Sequence, residues 1–203
     1  MPTRFGCHCH QTRVRRSRPA LAVHGSLLHL AANTQSLRVL GTPVERWFGP
    51  ERFAATYLLS GVAGNALSLG VGRAPLSVGA SGAIFGLLGA WYVFLEINRE
   101  FFRMRGIDVS ASLGSMVQMC ALNAALGLTP GSRIDNFCHL GGLLGGGACS
   151  YAFGPRLRYA RRGGVLVDEP LVRLPSAVGV LRRRRERRLR ELDAAQVEWP
   201  EMW

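Results

Sequence analysis

Four stretches of this chain hold no Asp, Glu, Lys or Arg and at most one His over 18 residues or more: 53–72, 74–95, 109–132 and 136–153. As helices, runs of about this length cross a hydrocarbon core of ~30 Å. A water-soluble fold would have to bury all four as core helices with no polar face, which a chain of 203 residues has no room to do. A fifth run, 20–37, is charge-free but interrupted by His24, His29, Asn33 and Gln35. The pattern predicts an all-α, polytopic membrane helix bundle, with helices near 22–40, 53–71, 81–98, 110–128 and 137–153. Gly41, Pro43, Gly49 and Pro50 mark residues 38–52 as a loop.

Charge placement supports the threading. All 25 basic residues are arginine. Arg38, Arg46 and Arg52 follow the first run, and Arg99, Arg103 and Arg105 follow the third, while the other two connections hold only Arg73 and Arg133. Alternate connections are therefore basic, as spanning helices require, and the positive side holds the C-terminus. The net charge of +12 does not point to nucleic acid, because no stretch interleaves basic and aromatic residues as a stacking platform would. The 25 glycines suit closely packed membrane helices.

The chain divides into an Arg-rich leader, 1–19, a membrane domain, 20–154, and an Arg-rich polar tail, 155–203. The leader holds five arginines and no acid, the composition of a transit peptide or of a miscalled gene start. Cys7-His8-Cys9-His10 is too tightly spaced for the usual zinc pairs, and no second ligand pair follows, so no metal site is implied. Arg-rich residues 182–188 suit a solvated helix touching anionic lipid.

Polar groups inside apolar sequence are costly unless they have partners or a task. Under the threading, His29, Ser81 and His139 all fall near the non-positive face. His29 and Asn33 are four apart and share a helix face, so two donors could hold a developing oxyanion, with the Ser81 backbone N–H as a third. Ser81 needs a base, and His139 is the histidine elsewhere in the apolar region. Asp135 belongs to the preceding loop, which makes a Ser–His dyad more economical than a triad. Each group also has a plainer reading: the serine as a close-packing residue in a glycine-rich helix, the histidine as an interhelical hydrogen bond.

Taken together, His29-x-x-x-Asn33, Gly79-Ala80-Ser81-Gly82 and His139-x-x-Gly142 resemble the motifs of the rhomboid intramembrane serine proteases, over about residues 23–154. Leu40-Gly41, Glu45 and Gly49 are similar to that family's loop after its second helix. The resemblance implies Ser81 as nucleophile, His139 as general base, and His29 and Asn33 lining the oxyanion hole. It further implies supporting roles for Gly79, Gly82, Phe85 and Gly142: Phe85 packs against the catalytic histidine, and Gly142 and Gly146 allow close helix packing. Against the six core helices that the resemblance implies, the uncharged runs predict five, and the family's first helix and its Trp-Arg pair are expected to be lacking. The resemblance implies no cofactor, transmembrane proteins as substrates and membrane lipids as surroundings. The leader and tail are compatible with a plastid member in a chloroplast membrane. The rival reading is a non-catalytic rhomboid-like protein that binds or escorts membrane clients. A transporter is disfavoured, since intramembrane carboxylates and a pair of broken helices are lacking.

Overall fold

The computed structural model describes residues 27–71, 80–130, 132, 134–159, 166–174 and 179–194. Each charge-free run contributes a helix within the described residues. The elements are α1 (Leu27–Phe48), α2 (Pro50–Gly70), α3 (Ser81–Ile97), α4 (Arg99–Met104), α5 (Ser110–Gly127), α6 (Asn136–Phe153), β1 (Leu157–Tyr159), β2 (Leu166–Asp168) and α7 (Gly179–Ala194). The leader and Gly79 lie outside the described residues.

One expectation is corrected at residues 38–52. These are not a loop: α1 runs through Gly41 and Pro43 to Phe48. Leu40, Val44, Trp47 and Phe48 form a buried stripe at helical spacing, and their burial outweighs the breakers. The chain turns at Gly49, whose φ of 82° suits a residue without a Cβ, and Pro50 then opens α2 where its missing N–H costs nothing.

The bundle is built around α6, which is clasped between α2 and α3. Glycine makes this possible on two faces. Gly142 and Gly146 lie against the backbone of Gly82 and Gly86 on α3, where an added Cβ would collide with the facing carbonyl oxygens. On the other face, a Cβ at Gly141 would stand 2.7 Å from Ala63 O of α2, and one at Gly145 2.6 Å from the Ala63 Cβ. Close backbone approach of this kind holds helices together where water is not available to drive them.

Among the described residues no helix is long and apolar enough to cross a membrane by mean hydropathy. α3 is apolar but only 17 residues long, and α2 falls short for a different reason. Its buried positions are Arg52, Thr56, Ser60, Gly64 and Ser68, a strict four-residue repeat of small or polar groups. Its outward positions are apolar: Leu58 and Val62 are each 66% exposed. This is the reverse of a helix on a water-soluble core, where the apolar stripe faces inward. Small polar residues bought for packing lower the mean hydropathy while the outer face stays apolar.

The two ends of the bundle differ. At one end, Trp47, Phe48, Trp91, Phe94, Phe101 and Phe102 form a buried aromatic cluster, with ring centroids of successive pairs 5.0–6.3 Å apart. This end also carries Arg46, Arg52, Arg99, Arg103 and Arg105. Packing does not stop at Gly154: Leu157, Leu166 and Leu192 join the same apolar core. The antiparallel hairpin pairs Leu157 with Asp168 and Tyr159 with Leu166. Asn98 ties it to the end of α3 by donating to Pro155 O (2.9 Å) and accepting from Leu157 N (2.7 Å). Arg52 reaches Asp168 at 2.8 Å, with side chains only 7% and 0% exposed. Arg105 bonds Asp193 at 2.7 Å and so anchors α7.

Removing one partner of a buried pair strands the other charge. Arg52→Ala is therefore expected to destabilise the protein by about 3–5 kcal/mol. Thermal unfolding in detergent micelles checks this, and replacing Arg52 and Asp168 together by Met and Leu should recover most of the loss.

Candidate active site

The opposite end of the bundle is poor in large side chains and collects the polar groups singled out by sequence. The start of α1, the end of α2, the start of α3, the end of α5 and the start of α6 meet there. Asp135 caps α6, accepting from Phe137 N at 3.1 Å and Cys138 N at 3.0 Å, and it also accepts a hydrogen bond from Ser68 Oγ near the end of α2. Asn136 Nδ2 donates to Ala124 O of α5 at 3.0 Å.

Ser81 is the first residue of α3 and is half-buried. The first intrahelical bond runs from Ile84 N to Ala80 O, so the N–H groups of Ser81, Gly82 and Ala83 have no intrahelical acceptor. Such a helix start presents partial positive charge and free donors beside the hydroxyl. Phe85, four residues on, shares the face of Ser81.

His139 lies in the first turn of α6, its backbone N–H bonded to Asp135 O at 3.0 Å. Its ring stacks on Phe85, with centroids 4.0 Å apart and planes 10° from parallel. The imidazole therefore rests on the α3 face that carries Ser81. His139 Nδ1 is buried and without a hydrogen-bond partner, so a closed Ser–His bond through that atom is not formed. Gly82 is what lets the two helices approach: its Cβ would stand 2.7 Å from Cys138 Sγ. Gly142 continues the same crossing against Gly82.

His29 and Asn33 stand on one face of α1, four residues apart. His29 is exposed and lies within electrostatic reach of the His139 ring, as does Asp135. Asn33 is half-buried, and its Nδ2, a hydrogen-bond donor, is buried without an acceptor. An unsatisfied buried donor costs about 1–3 kcal/mol. Asn33 Nδ2 and His139 Nδ1 are both among the buried polar atoms without a hydrogen-bond partner in the described residues.

Sequence reading missed three contributors. Ser68 and Asp135 link α2 to α6, and Cys138 wedges between Gly64 of α2 and Gly82 of α3, with its thiol 3.8 Å from Asn65 Oδ1. The small-residue repeat on α2 was the available signal for the first. An aspartate directly before an uncharged run is the local helix-cap signal for Asp135, and nothing local marks Cys138.

Known proteins resemble the chain over the same region. The Rhomboid domain family model matches residues 12–156. RHOMBOID-like protein 1 of Arabidopsis thaliana is 37% identical over 150 residues, which cover 74% of this chain and 37% of that protein. Rhomboid protease GluP of Bacillus subtilis (strain 168) is 39% identical over 135 residues, 66% of this chain and 25% of its own length. RHOMBOID-like protein 6, mitochondrial, of Arabidopsis thaliana is 37% identical over 127 residues, 63% of this chain and 39% of its own length. The chain therefore spans between a quarter and two fifths of the length of these relatives. No solved structure matches it. The chloroplast placement suggested by the leader finds no support among these relatives, one of which is named as mitochondrial. The family model covers well over half of the chain, and the chain belongs to the rhomboid family.

Proposed function

We propose that this integral membrane protein is a serine endopeptidase that cleaves transmembrane segments of other membrane proteins. The observation that carries the reading is the His139 ring lying flat on Phe85, one helical turn from Ser81, with Nδ1 unpartnered. The match to a relative named as a rhomboid protease supports it.

In this mechanism Ser81 Oγ attacks the scissile carbonyl carbon and its proton passes to His139. The carbonyl oxygen becomes an oxyanion. The Ser81 N–H, at the positive start of α3, and the side chains of Asn33 and His29 donate to it. His139 returns the proton to the leaving amine as the C–N bond breaks. A water, deprotonated by His139, then releases the acyl group from Ser81. Gly82 and Gly142 let α3 and α6 approach closely enough for this, and Phe85 holds the imidazole plane. Gly79, in the residues before Ser81, belongs to the same motif. No metal or organic cofactor takes part, and the surroundings are membrane lipids; nucleic acid is not a partner.

The test is cleavage of a tagged single-span substrate in proteoliposomes, with a fluorophosphonate probe of serine nucleophiles. Cleavage is expected to stop on labelling, with the label on the peptide that contains Ser81. Intact substrate together with an unlabelled protein would overturn the reading and favour binding or escort of membrane clients. Asn33→Ala is expected to lower turnover ~10- to 1000-fold while leaving folding intact, since it removes one donor to the oxyanion. An unchanged rate would assign Asn33 to packing.

A further inference from the structure

His139 can act on Ser81 only if α6 enters the bundle at the right depth and angle. The structure contains a device that sets both. Asp135 stands immediately before α6, in extended conformation, and its Oδ1 accepts from the N–H groups of Phe137 and Cys138. Its backbone carbonyl accepts from the N–H of His139 itself. Its second carboxylate oxygen is taken by the hydroxyl of Ser68, which is buried on α2. One side chain thus closes the first turn of α6 and ties that turn to a neighbouring helix. The tie lies one turn before His139, and the next residue pair along the same interface is Gly64 with Cys138.

We infer that Asp135 and Ser68 are positioning residues for His139, fixing the start of α6 against α2 so that the imidazole lies over the α3 face bearing Ser81. This rests on the protease reading above. The carboxylate here is a cap and a tether, and it does not share the proton that Ser81 gives up. The carboxylate accepts three hydrogen bonds, two from backbone N–H groups and one from the Ser68 hydroxyl on α2.

The two roles open to Asp135 separate cleanly by substitution. Asparagine is as good a helix cap as aspartate. Its Oδ1 can accept from the same backbone N–H groups, and its Nδ2 can donate to Ser68 Oγ, reversing that bond without losing it. Alanine loses both. A misplacement of about 1 Å at a catalytic group costs on the order of 100-fold in rate.

Steady-state cleavage is measured in proteoliposomes for wild type, Asp135→Ala, Asp135→Asn and Ser68→Ala, with fluorophosphonate labelling of each at Ser81. The expected result is kcat down ~10- to 100-fold in Asp135→Ala with KM unchanged. Asp135→Asn should stay within about 3-fold of wild type, since the cap is retained. Ser68→Ala should fall between them, and because it removes only the tether it reads the effect even if Asp135→Ala does not fold. A fully active Asp135→Ala or Ser68→Ala would overturn the inference while leaving the protease reading intact. So would an Asp135→Asn as impaired as Asp135→Ala, which would assign the role to the negative charge. A wild-type protein that neither cleaves nor labels would overturn the protease reading, and this inference with it.

Discussion

Ser81→Ala, His139→Ala and the double variant are expected to lose the same large factor in kcat, on the order of 10⁴-fold or more. The reason is that the two side chains form one device. A serine without a base within reach keeps its proton and is a poor nucleophile, and a base without the serine has nothing to activate. Removing the second partner after the first therefore costs little more. The measurement is initial rate of substrate cleavage in proteoliposomes, with thermal stability of each variant recorded alongside. Additive losses would mean that His139 and Ser81 act independently, which the shared α3 face and the Phe85 stack do not predict. The residual rate of all three variants should be similar, because the donors of Asn33 and of the α3 start remain.

Gly146→Val is expected to destabilise the bundle by about 3 kcal/mol or more, enough to abolish a folded preparation. A side chain at this position meets the carbonyl of Gly86, and a backbone atom in mid-helix cannot step aside as a flexible side chain would. Either α3 and α6 separate along their whole crossing or α6 bends. The control is Gly114→Ala on α5, where an added Cβ meets nothing within 4 Å. That change removes a glycine from a helix interior and should be neutral or stabilise by about 0.5–1 kcal/mol. Thermal unfolding in detergent compares the two. Equal behaviour would mean that the tight α3–α6 crossing is not what holds the helices together.

Much of the architecture was legible because an uncharged run of sufficient length has few fates. The start of α6 at Asn136 follows from where its run begins, while α3 starts at Ser81, seven residues inside the run 74–95, where its helix was expected. The continuation of α1 to Phe48 did not follow. Gly41 and Pro43 are reliable breakers only where packing does not overrule them, and the stripe from Leu40 to Phe48 overrules them here. The hairpin after α6 was hidden for another reason. Its anchor, Arg52 to Asp168, joins residues 116 positions apart, and no local pattern announces a pair of that kind. For the site, helical spacing puts Ser81 with Phe85 and His29 with Asn33. Spacing could not bring His139 onto Phe85; only the family resemblance implied that contact. Ser68 with Asp135 was beyond both, since it depends on the register between α2 and α6.

The outward apolar face of α2 has a consequence for calorimetry. The large heat-capacity step of ordinary unfolding comes from apolar surface newly wetted by water. Here Leu58, Leu59, Val62 and Leu69 already face outward in the folded state, and the face that α2 hides consists of Arg52, Thr56, Ser60, Gly64 and Ser68. When these helices come apart within a lipid or detergent phase, little apolar area passes into water. The thermal transition should therefore carry a heat-capacity increment well below the ~12–15 cal/mol/K per residue of water-soluble domains, and its stability should vary almost linearly with temperature, without the cold-side downturn that curvature produces.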